Sequence, residues 1–213
     1  IVNSAIKKGE TLIDTAMTLN AMHPDIIVVR HQDSGAPNLL SQKVNCSVIN
    51  AGDGRREHPT QALLDALTII NRKGKVQGLK IAICGDILHS RVALSNIYCL
   101  QKLGAEVKVC GPSSLMPKHL DSLGVTHFSD LKEALQWCDV ANVLRIQLER
   151  QDVNYFPSLR EYAMVYGIDK TVLESLDQEI TIMHPGPINR GVELSSDVAD
   201  SKHAIILNQV EIF

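Results

Sequence analysis

The stretch "LKIAICGDILHSRVALSNIYCLQKLGAEVKVCGP" at residues 79–112 decides the fold. Two short apolar runs, "LKIAICGD" and "EVKVCGP", flank "SRVALSNIYCLQKLG", in which apolar residues recur at roughly helical spacing. A strand, a helix and a second strand in this order form the unit from which parallel sheets are built. The strands are almost continuously apolar, which is typical of sheets that helices cover on both faces.

The same alternation of strand and helix extends along most of the chain. Further strands are predicted at "DIIVVRH", "CSVINAG", "VANVLRI", "EITIMHP" and "HAIILNQV", and further helices at "TLIDTAMTLNAM", "PTQALLDALTIINRK" and "DLKEALQWC". We therefore predict an α/β protein with two doubly wound parallel-sheet domains joined by a helix. The polar stretch "NRKGKVQG" places the domain boundary between residues 1–70 and 71–213. The first part is short for such a domain, so we expect it to be incomplete.

Composition excludes several classes of protein. The 213 residues are 45% hydrophobic and carry a net charge of -3, as in an ordinary globular protein without a polyanion-binding surface. Aromatic residues at 4% offer few stacking platforms, which further disfavours nucleic acid. The five cysteines lack CxxC spacing, so neither a zinc site nor a disulfide framework is predicted. We therefore expect a protein of the reducing cytoplasm. No apolar run approaches the ~20 residues that span a membrane.

Cations and amides cluster where the predicted strands end. In open parallel sheets, ligands bind beyond the carboxyl ends of the strands, so these positions are the candidate site. The residues found there are Arg30, His31, Arg55, Arg56, Asp86, His89, Arg91, Arg145, Gln147, His184, Gly186 and Pro187. Because a guanidinium group pairs with carboxylate or phosphate through two parallel hydrogen bonds, the repeated arginines indicate small anionic ligands.

Each candidate also has a structural explanation. His58 precedes Pro59, and proline is favoured at the first position of any helix. Arg30 could equally be the partner of a structural ion pair, while Arg145 and Gln147 could belong to a solvated rim. The histidines lack metal-ligand spacing, and no GxGxxG, GxSxG or GxxxxGK[ST] motif is present. A cluster of cations without an evident nucleophile favours catalysis by positioning and charge stabilisation between two bound substrates.

Seven segments in order carry a family resemblance. They are "KKGET", "VVRH", "INAGDGRREHPTQALLD", "GDILHSRVALSN", "LRIQLER", "FPSLREY" and "HPGPINRGVEL". Together they resemble the aspartate carbamoyltransferase family over most of the chain. "HPGPINRG" and "LRIQLER" favour this family over the ornithine carbamoyltransferases, whose corresponding stretches include a cysteine-bearing "HCLP".

The resemblance implies an enzyme and its reaction. The carbamoyl group of carbamoyl phosphate would be transferred to the amine of L-aspartate, giving N-carbamoyl-L-aspartate and phosphate in de novo pyrimidine biosynthesis. No metal and no organic cofactor is expected. The implied assembly is a homotrimer with active sites shared between subunits, and a regulatory chain or a dihydroorotase is a candidate partner; neither nucleic acid nor a membrane is expected.

The resemblance also assigns residues by their place in the matching segments. Arg30, His58 and Gln61 would hold carbamoyl phosphate. Arg30 and His58 would be catalytic, together with Lys8, which the family contributes to a neighbouring subunit's site. The residues that would hold aspartate are Lys8, Arg91, Arg145, Gln147 and the backbone of Gly186 and Pro187.

Two departures from the family pattern leave alternatives open. The family places a Ser-Thr-Arg-Thr phosphate loop before the lysine segment and a helix after the segment that ends in "NQV", and neither is found here. We therefore expect the chain as given to be a poor catalyst alone. The alternatives are a non-catalytic carbamoyltransferase-like binding protein, a carbamoyltransferase for another amino acid, and a nucleotide-dependent α/β enzyme.

Overall fold

A computed structural model of the chain describes residues 9–146 and 158–212. The chain separates into two compact units, residues 1–60 (the N-terminal unit) and 61–213 (the C-terminal unit). The division falls near the start of a long helix, Pro59–Lys73, whereas the sequence placed the boundary between residues 70 and 71, in the last turn of the same helix. The helix groups with the C-terminal unit because its buried residues, among them Ala66 and Ile69, belong to that unit's hydrophobic core.

From residue 9 onward, the N-terminal unit contains two parallel strands and two helices. The elements are α1 (Leu12–Asn20), β1 (Ile26–His31), α2 (Ala36–Ser41) and β2 (Ser47–Asp53). Helix α1 begins in a capping box, in which the Thr11 hydroxyl accepts from the Asp14 N–H and the Asp14 carboxylate accepts from the Thr11 N–H. Strand β1 pairs with β2 from Ile26 opposite Ser47, and a small apolar core lies beside the two strands.

The C-terminal unit is a five-stranded parallel sheet with helices. Its strands are β3 (Lys80–Cys84), β4 (Glu106–Cys110), β5 (Thr126–Phe128), β6 (Val140–Val143) and β7 (Thr181–Met183). Its helices are α3 (Pro59–Lys73), α4 (Arg91–Lys102), α5 (Leu131–Trp137), α6 (Leu159–Tyr166), α7 (Lys170–Glu174), α8 (Ser196–Ala199) and α9 (Ile206–Ile212), with 3-10 turns at Ser113–Leu115 and Leu120–Leu123. Two apolar clusters form its main core.

The strand order β5-β4-β3-β6-β7 confirms the predicted doubly wound topology in this unit. From β3 the chain proceeds outward to β4 and β5, and it then returns to the other side of β3 for β6 and β7. The winding direction therefore reverses between β3 and β6. Such a switch point opens a crevice at the carboxyl ends of the two strands, which is the usual ligand site of this fold.

One predicted strand is wrong. "HAIILNQV" contributes only an isolated bridge between Ala204 and Ile182 and then becomes helix α9 from Ile206. A short apolar run fits a strand or a buried helix equally well, and tertiary contacts decide between them. Here the helical conformation brings Gln209 into the interior, where its side chain is hydrogen-bonded at both ends.

Gly85 ends β3 at the switch point in a conformation that favours glycine. Its φ is +125°, and a Cβ atom at this position would lie 3.0 Å from the carbonyl oxygen of Leu144. The two chain segments are this close because the Leu144 N–H donates to the Cys84 carbonyl oxygen at 2.7 Å. The close approach therefore requires glycine on both conformational and steric grounds.

We predict that Gly85→Ala lowers the free energy of unfolding by roughly 2 to 4 kcal/mol, because it combines a disfavoured φ with overpacking against Leu144. Urea denaturation followed by the fluorescence of Trp137, the single tryptophan of the chain, measures the change. Gly74→Ala is the matched control, since Gly74 has φ +80° but open space around a Cβ atom. Its cost should be only about 1 kcal/mol. Equal losses in the two variants would contradict the steric argument.

Candidate active site

Three neighbouring strands of the C-terminal unit end in the residues that the sequence singled out. Arg91 follows β3, Arg145 follows β6, and Gly186 and Pro187 follow β7. Strand β6 lies between β3 and β7, and all three run parallel. The structure therefore brings these four residues to one edge of the sheet, beside the switch point.

Arg91 is held at the start of α4 by a well-formed cap. The Ser90 hydroxyl accepts from the Ala93 N–H at 3.2 Å, and Arg91 is the first residue of the helix, only 5% exposed. In the turn before it, the buried Asp86 carboxylate lies 2.9 Å from Nδ1 of His89 and accepts from the His89 N–H at 3.1 Å. The turn is thus fixed by a carboxylate, while a cation stands where the helix dipole disfavours it.

The loop after β7 is built around His184. The Gly186 N–H donates to Nδ1 of His184 at 2.9 Å, so the proton of a neutral imidazole lies on Nε2. That Nε2–H donates to Oε1 of Glu193 at 3.2 Å, and the same oxygen accepts from the Asn189 N–H at 2.6 Å. His184 and Glu193 are almost fully buried. The pair therefore fixes the loop that contains the cis Gly186–Pro187 peptide.

A buried carboxylate in α3 joins four elements of the C-terminal unit. Asp65 has no solvent exposure, and its Oδ1 accepts from Nε2 of Gln61 and of Gln209, each at 2.8 Å. Its Oδ2 accepts from Nδ2 of Asn96 at 2.7 Å and of Asn142 at 3.3 Å. We call these five residues the Asp65 network. The network connects α3, α4, β6 and α9 through side-chain amides alone.

Burial raises the pKa of the Asp65 carboxyl above its ordinary value, because the ionised form loses its hydration. The hydrogen bonds from the four amides act in the opposite direction, since they stabilise the ionised form. An ionised carboxylate has only acceptor sites, and the four amide donors occupy them. The Asp65 network thus stabilises a buried negative charge by dipoles.

In the N-terminal unit, two predicted residues follow the two strands. Arg30 is exposed near the carboxyl end of β1. His58 follows β2, is 6% exposed and lies with Nδ1 3.2 Å from the Thr60 hydroxyl. The turn between β2 and His58 is closed by the backbone of Asp53, whose N–H donates to the Glu57 carbonyl and whose carbonyl accepts from the Arg56 N–H, each at 2.8 Å. The Asp53 carboxylate also accepts from the Gly35 N–H at 2.6 Å, which joins the end of β2 to the start of α2. Both candidates therefore lie at the carboxyl edge of the same small parallel sheet.

Gln61 lies in the first turn of α3 and is 8% exposed. Lys8 and Gln147 lie outside the described residues. Sequence reasoning missed Asp65, Asn96, Asn142, Gln209 and the interaction of His184 with Glu193. A partial signal existed for Asp65, because a carboxylate in the apolar run "ALLDALTII", one helical turn after Gln61, is out of place unless it is paired.

The cysteines near the strand ends of the sheet are poorly suited to act as nucleophiles. Cys84 and Cys110 lie opposite each other in β3 and β4, and their mutual hydrogen bond and burial raise the pKa of Cys84 well above its ordinary value. Burial also raises the pKa of Cys138 to about 12. A protonated thiol is a poor nucleophile, so these cysteines act as small core residues.

Within residues 9–146 and 158–212, no group of three or more histidine, cysteine, aspartate or glutamate residues is arranged to hold a metal ion. In the same ranges, every helix is too short or too polar to cross a membrane.

Two family models match the chain in tandem. Residues 1–71 match the carbamoyl-P binding domain of aspartate/ornithine carbamoyltransferase, and residues 77–212 match the Asp/Orn binding domain of the same family. The sequence is similar to the aspartate carbamoyltransferase catalytic subunit of Cytophaga hutchinsonii, with 65% identity over 98% of this chain and 68% of that protein. The corresponding subunit of Flavobacterium psychrophilum is 63% identical over the same shares of the two chains.

Solved structures give the same result. The chain superposes on aspartate transcarbamoylase from Trypanosoma cruzi in complex with carbamoyl phosphate with a TM-score of 0.87 and 32% identity, covering 100% of this chain and 69% of that one. The complex of the same enzyme with N-(phosphonacetyl)-L-aspartic acid gives a TM-score of 0.86 and 33% identity, covering 98% and 68%.

We predict that Glu193→Ala lowers the free energy of unfolding by roughly 2 to 5 kcal/mol, because it leaves the Nε2–H of His184 and the N–H of Asn189 buried without their acceptor. Urea denaturation measures the loss. Asp200→Ala is the control, because it breaks the exposed ion pair of Asp200 with Arg190, and its stability should not change measurably. A Glu193→Ala variant as stable as the control would contradict the assignment.

We also predict that the stability of Asp65→Asn relative to the parent chain depends on pH. The difference between their free energies of unfolding, variant minus parent, should increase as pH rises. The folded pKa of Asp65 is raised, so the folded state binds more protons than the unfolded state between the ordinary aspartate pKa and the raised value. The parent chain therefore loses stability as pH rises through this window, and the variant lacks this loss. Urea denaturation at several pH values tests the slope. A difference that is constant with pH would disprove the raised pKa.

Proposed function

The chain belongs to the aspartate/ornithine carbamoyltransferase family, and from this we propose that it transfers the carbamoyl group of carbamoyl phosphate to the amine of L-aspartate. The products are N-carbamoyl-L-aspartate and phosphate, in pyrimidine biosynthesis. The observation that carries the proposal is the arrangement of Arg91, Arg145 and the Gly186–Pro187 loop after three adjacent parallel strands.

Two arginines suit a substrate with two carboxylates. Arg91 and Arg145 would each bind one carboxylate of aspartate through paired hydrogen bonds, which fixes the amine in one orientation. Ornithine has one carboxylate and a cationic side chain, so the second arginine would repel it. This pair of cations therefore favours aspartate over the other amino acid of the family. Gln147 would add a polar contact to the same substrate.

The Gly186–Pro187 loop would hold aspartate through its backbone. The carbonyl oxygens of a loop accept hydrogen bonds from an amine. Pro187 has no N–H, so it adds no backbone donor that would compete with the amine for these oxygens. His184 and Glu193 hold the loop from the interior. The loop is thus ordered before substrate binds, which lowers the entropic cost of positioning the amine.

Most of the groups that would bind and activate carbamoyl phosphate belong to the N-terminal unit, whereas Gln61 is the first residue of the C-terminal unit. The neutral amine of aspartate attacks the carbamoyl carbon, and negative charge builds first on the carbonyl oxygen and then on the departing phosphate. Arg30 and His58 would stabilise that oxygen, Lys8 would stabilise the phosphate and contact aspartate, and Gln61 would bind the carbamoyl group. Catalysis would then depend on positioning and charge stabilisation, without a covalent intermediate.

We further infer a homotrimer in which Lys8 serves a neighbouring subunit's site, in the cytoplasm, with a regulatory chain or a dihydroorotase as a candidate partner. The resemblance of the "KKGET" segment supports the trimer. The five unpaired cysteines suit a reducing compartment. Sedimentation equilibrium of the purified protein tests the trimer.

The decisive experiment measures carbamoyl aspartate colorimetrically with the full-length product of the gene that encodes this chain. Both substrates are supplied at saturation, and ornithine replaces aspartate in a parallel assay. We expect product with aspartate and none above background with ornithine. Absence of product with either amino acid overturns the proposed activity, and product with ornithine alone transfers it to the other substrate. In the inactive case, calorimetric binding of aspartate but not of carbamoyl phosphate would support a non-catalytic binding protein.

We predict that Arg91→Ala and Arg145→Ala each lower kcat/KM for aspartate by a factor of about 30 to several thousand, equivalent to roughly 2 to 5 kcal/mol for a lost charge pair. Binding of carbamoyl phosphate in the absence of aspartate should change little. Steady-state kinetics and calorimetry measure the two effects.

Arg72→Ala is the control for both variants. Arg72 is an exposed arginine in the last turn of α3, the end of that helix opposite to Gln61, and its kinetics should match those of the parent protein. The assignment of aspartate to this edge of the sheet fails if both site variants retain the kinetics of the control.

A further inference from the structure

The Asp65 network connects the residues proposed for both substrates. Gln61, proposed for carbamoyl phosphate, is itself a member. Asn96 lies in the same helix as Arg91, and Asn142 lies in β6, three residues before Arg145. Gln209 contacts the segment that leads to the Gly186–Pro187 loop. The Asp65 carboxylate therefore contacts α3, the helix that begins with Arg91 and the strand that precedes Arg145 directly, and it reaches the Gly186–Pro187 loop through Gln209.

We propose that Asp65, together with Gln209, is a positioning residue for the carbamoyl transfer: it orients the Gln61 amide toward carbamoyl phosphate and fixes the loop that holds aspartate. The inference rests on the proposed function and assigns a role to two buried residues that touch neither substrate. It has two branches, one through Gln61 and one through Gln209.

The first branch concerns which end of the Gln61 amide is free. An ionised carboxylate can only accept hydrogen bonds, so Gln61 must turn its Nε2 toward Asp65, as the 2.8 Å distance shows. Its Oε1 is then the end that remains for a ligand. An acceptor at this position matches the NH₂ group of a carbamoyl substituent, which is a donor. Asp65 thereby selects the amide orientation that suits the substrate.

The second branch runs through Gln209 to the aspartate loop. Nε2 of Gln209 donates to Asp65 at 2.8 Å, and its Oε1 accepts from the His184 N–H at 2.9 Å. Because Asp65 fixes one end of this amide, the other end is always an acceptor at the point where β7 gives way to the loop. His184 then accepts from the Gly186 N–H at 2.9 Å. Three hydrogen bonds in series lead from the carboxylate to the loop.

The remaining two amides explain how the network tolerates a change at position 65. Oδ1 of Asn96 and Oδ1 of Asn142 are buried and have no hydrogen-bond partner among the described residues. Both amides can therefore turn and accept from a donor. In Asp65→Asn, the new amide nitrogen should face this asparagine pair, while its oxygen continues to accept from Gln61 and Gln209.

The first test removes the hydrogen bonds that connect Asp65 through Gln209 to the aspartate loop. Gln209→Met keeps the length of the side chain but removes both hydrogen bonds. We expect KM for aspartate to rise about tenfold, the effect of roughly one lost hydrogen bond, while KM for carbamoyl phosphate stays within about twofold. Thr68→Val is the control, since Thr68 is equally buried in α3 but bonds only to the carbonyl of Leu64 in its own helix.

The second test reverses the Gln61 amide. In the double variant Asp65→Asn with Gln209→Glu, the new carboxylate at position 209 requires a donor, so the amide nitrogen introduced at position 65 must face it. Gln61 and Gln209 bond to the same atom of residue 65, so the new amide nitrogen also faces Gln61. Gln61 then has to turn its Oε1 toward residue 65 and its Nε2, a donor, toward the substrate. We expect KM for carbamoyl phosphate to rise about tenfold in the double variant. Thr68→Val, the control of the first test, should stay near the parent value.

All variants are made in the full-length protein, and melting temperature is measured beside both KM values. If the network is purely structural, Gln209→Met lowers the melting temperature and leaves both KM values unchanged, and this result overturns the inference. The proposed function still stands in that case, provided that the parent protein is active. Equal KM values for carbamoyl phosphate in the double variant and in the Thr68→Val control also overturn the inference. A parent protein without activity overturns the proposed function itself.

Discussion

The hydrogen bonding of a single buried carboxylate organises the C-terminal unit. The Asp65 carboxyl group has no solvent exposure, and transfer of an unpaired carboxylate into a protein interior costs several kcal/mol. Four amide donors at 2.7 to 3.3 Å offset this cost without any cation. Since loss of any one donor leaves the charge less well solvated, the elements that carry these amides are held in one arrangement.

The topology of the sheet then determines where chemistry can occur. Reversal of the winding between β3 and β6 creates a topological switch point, where ligands usually bind in this fold, and Gly85 allows the two strand ends to approach closely there. Arg91 and Arg145 follow those two strands. Arg91 is held at the capped start of α4, and Arg145 lies two residues after β6, which suits a mechanism that depends on holding a substrate with two carboxylates in one orientation. The buried His184 and Glu193 give the same support to the loop after β7.

The sequence predicted those candidate residues that lie at the ends of strands. Apolar runs that stop at arginine, histidine or glycine predicted Arg30, Arg91, Arg145 and the Gly186–Pro187 loop as neighbours within their sheets. The strand assigned to "HAIILNQV" was wrong, because periodicity in a short apolar run does not distinguish a strand from a buried helix. The same error concealed Gln209, since an isolated polar residue near the end of an apolar strand suggests an exposed position.

The sequence by itself determined the α/β class, the parallel pairing of the strands and the cationic character of their ends, because these follow from local periodicity and from the chemistry of single side chains. Only the tertiary structure decided which polar residues share one buried charge. Gln61, Asp65, Asn96, Asn142 and Gln209 lie far apart along the chain, and no local pattern connects them. Their association is a property of packing, since a buried carboxylate must find its donors wherever the fold places them.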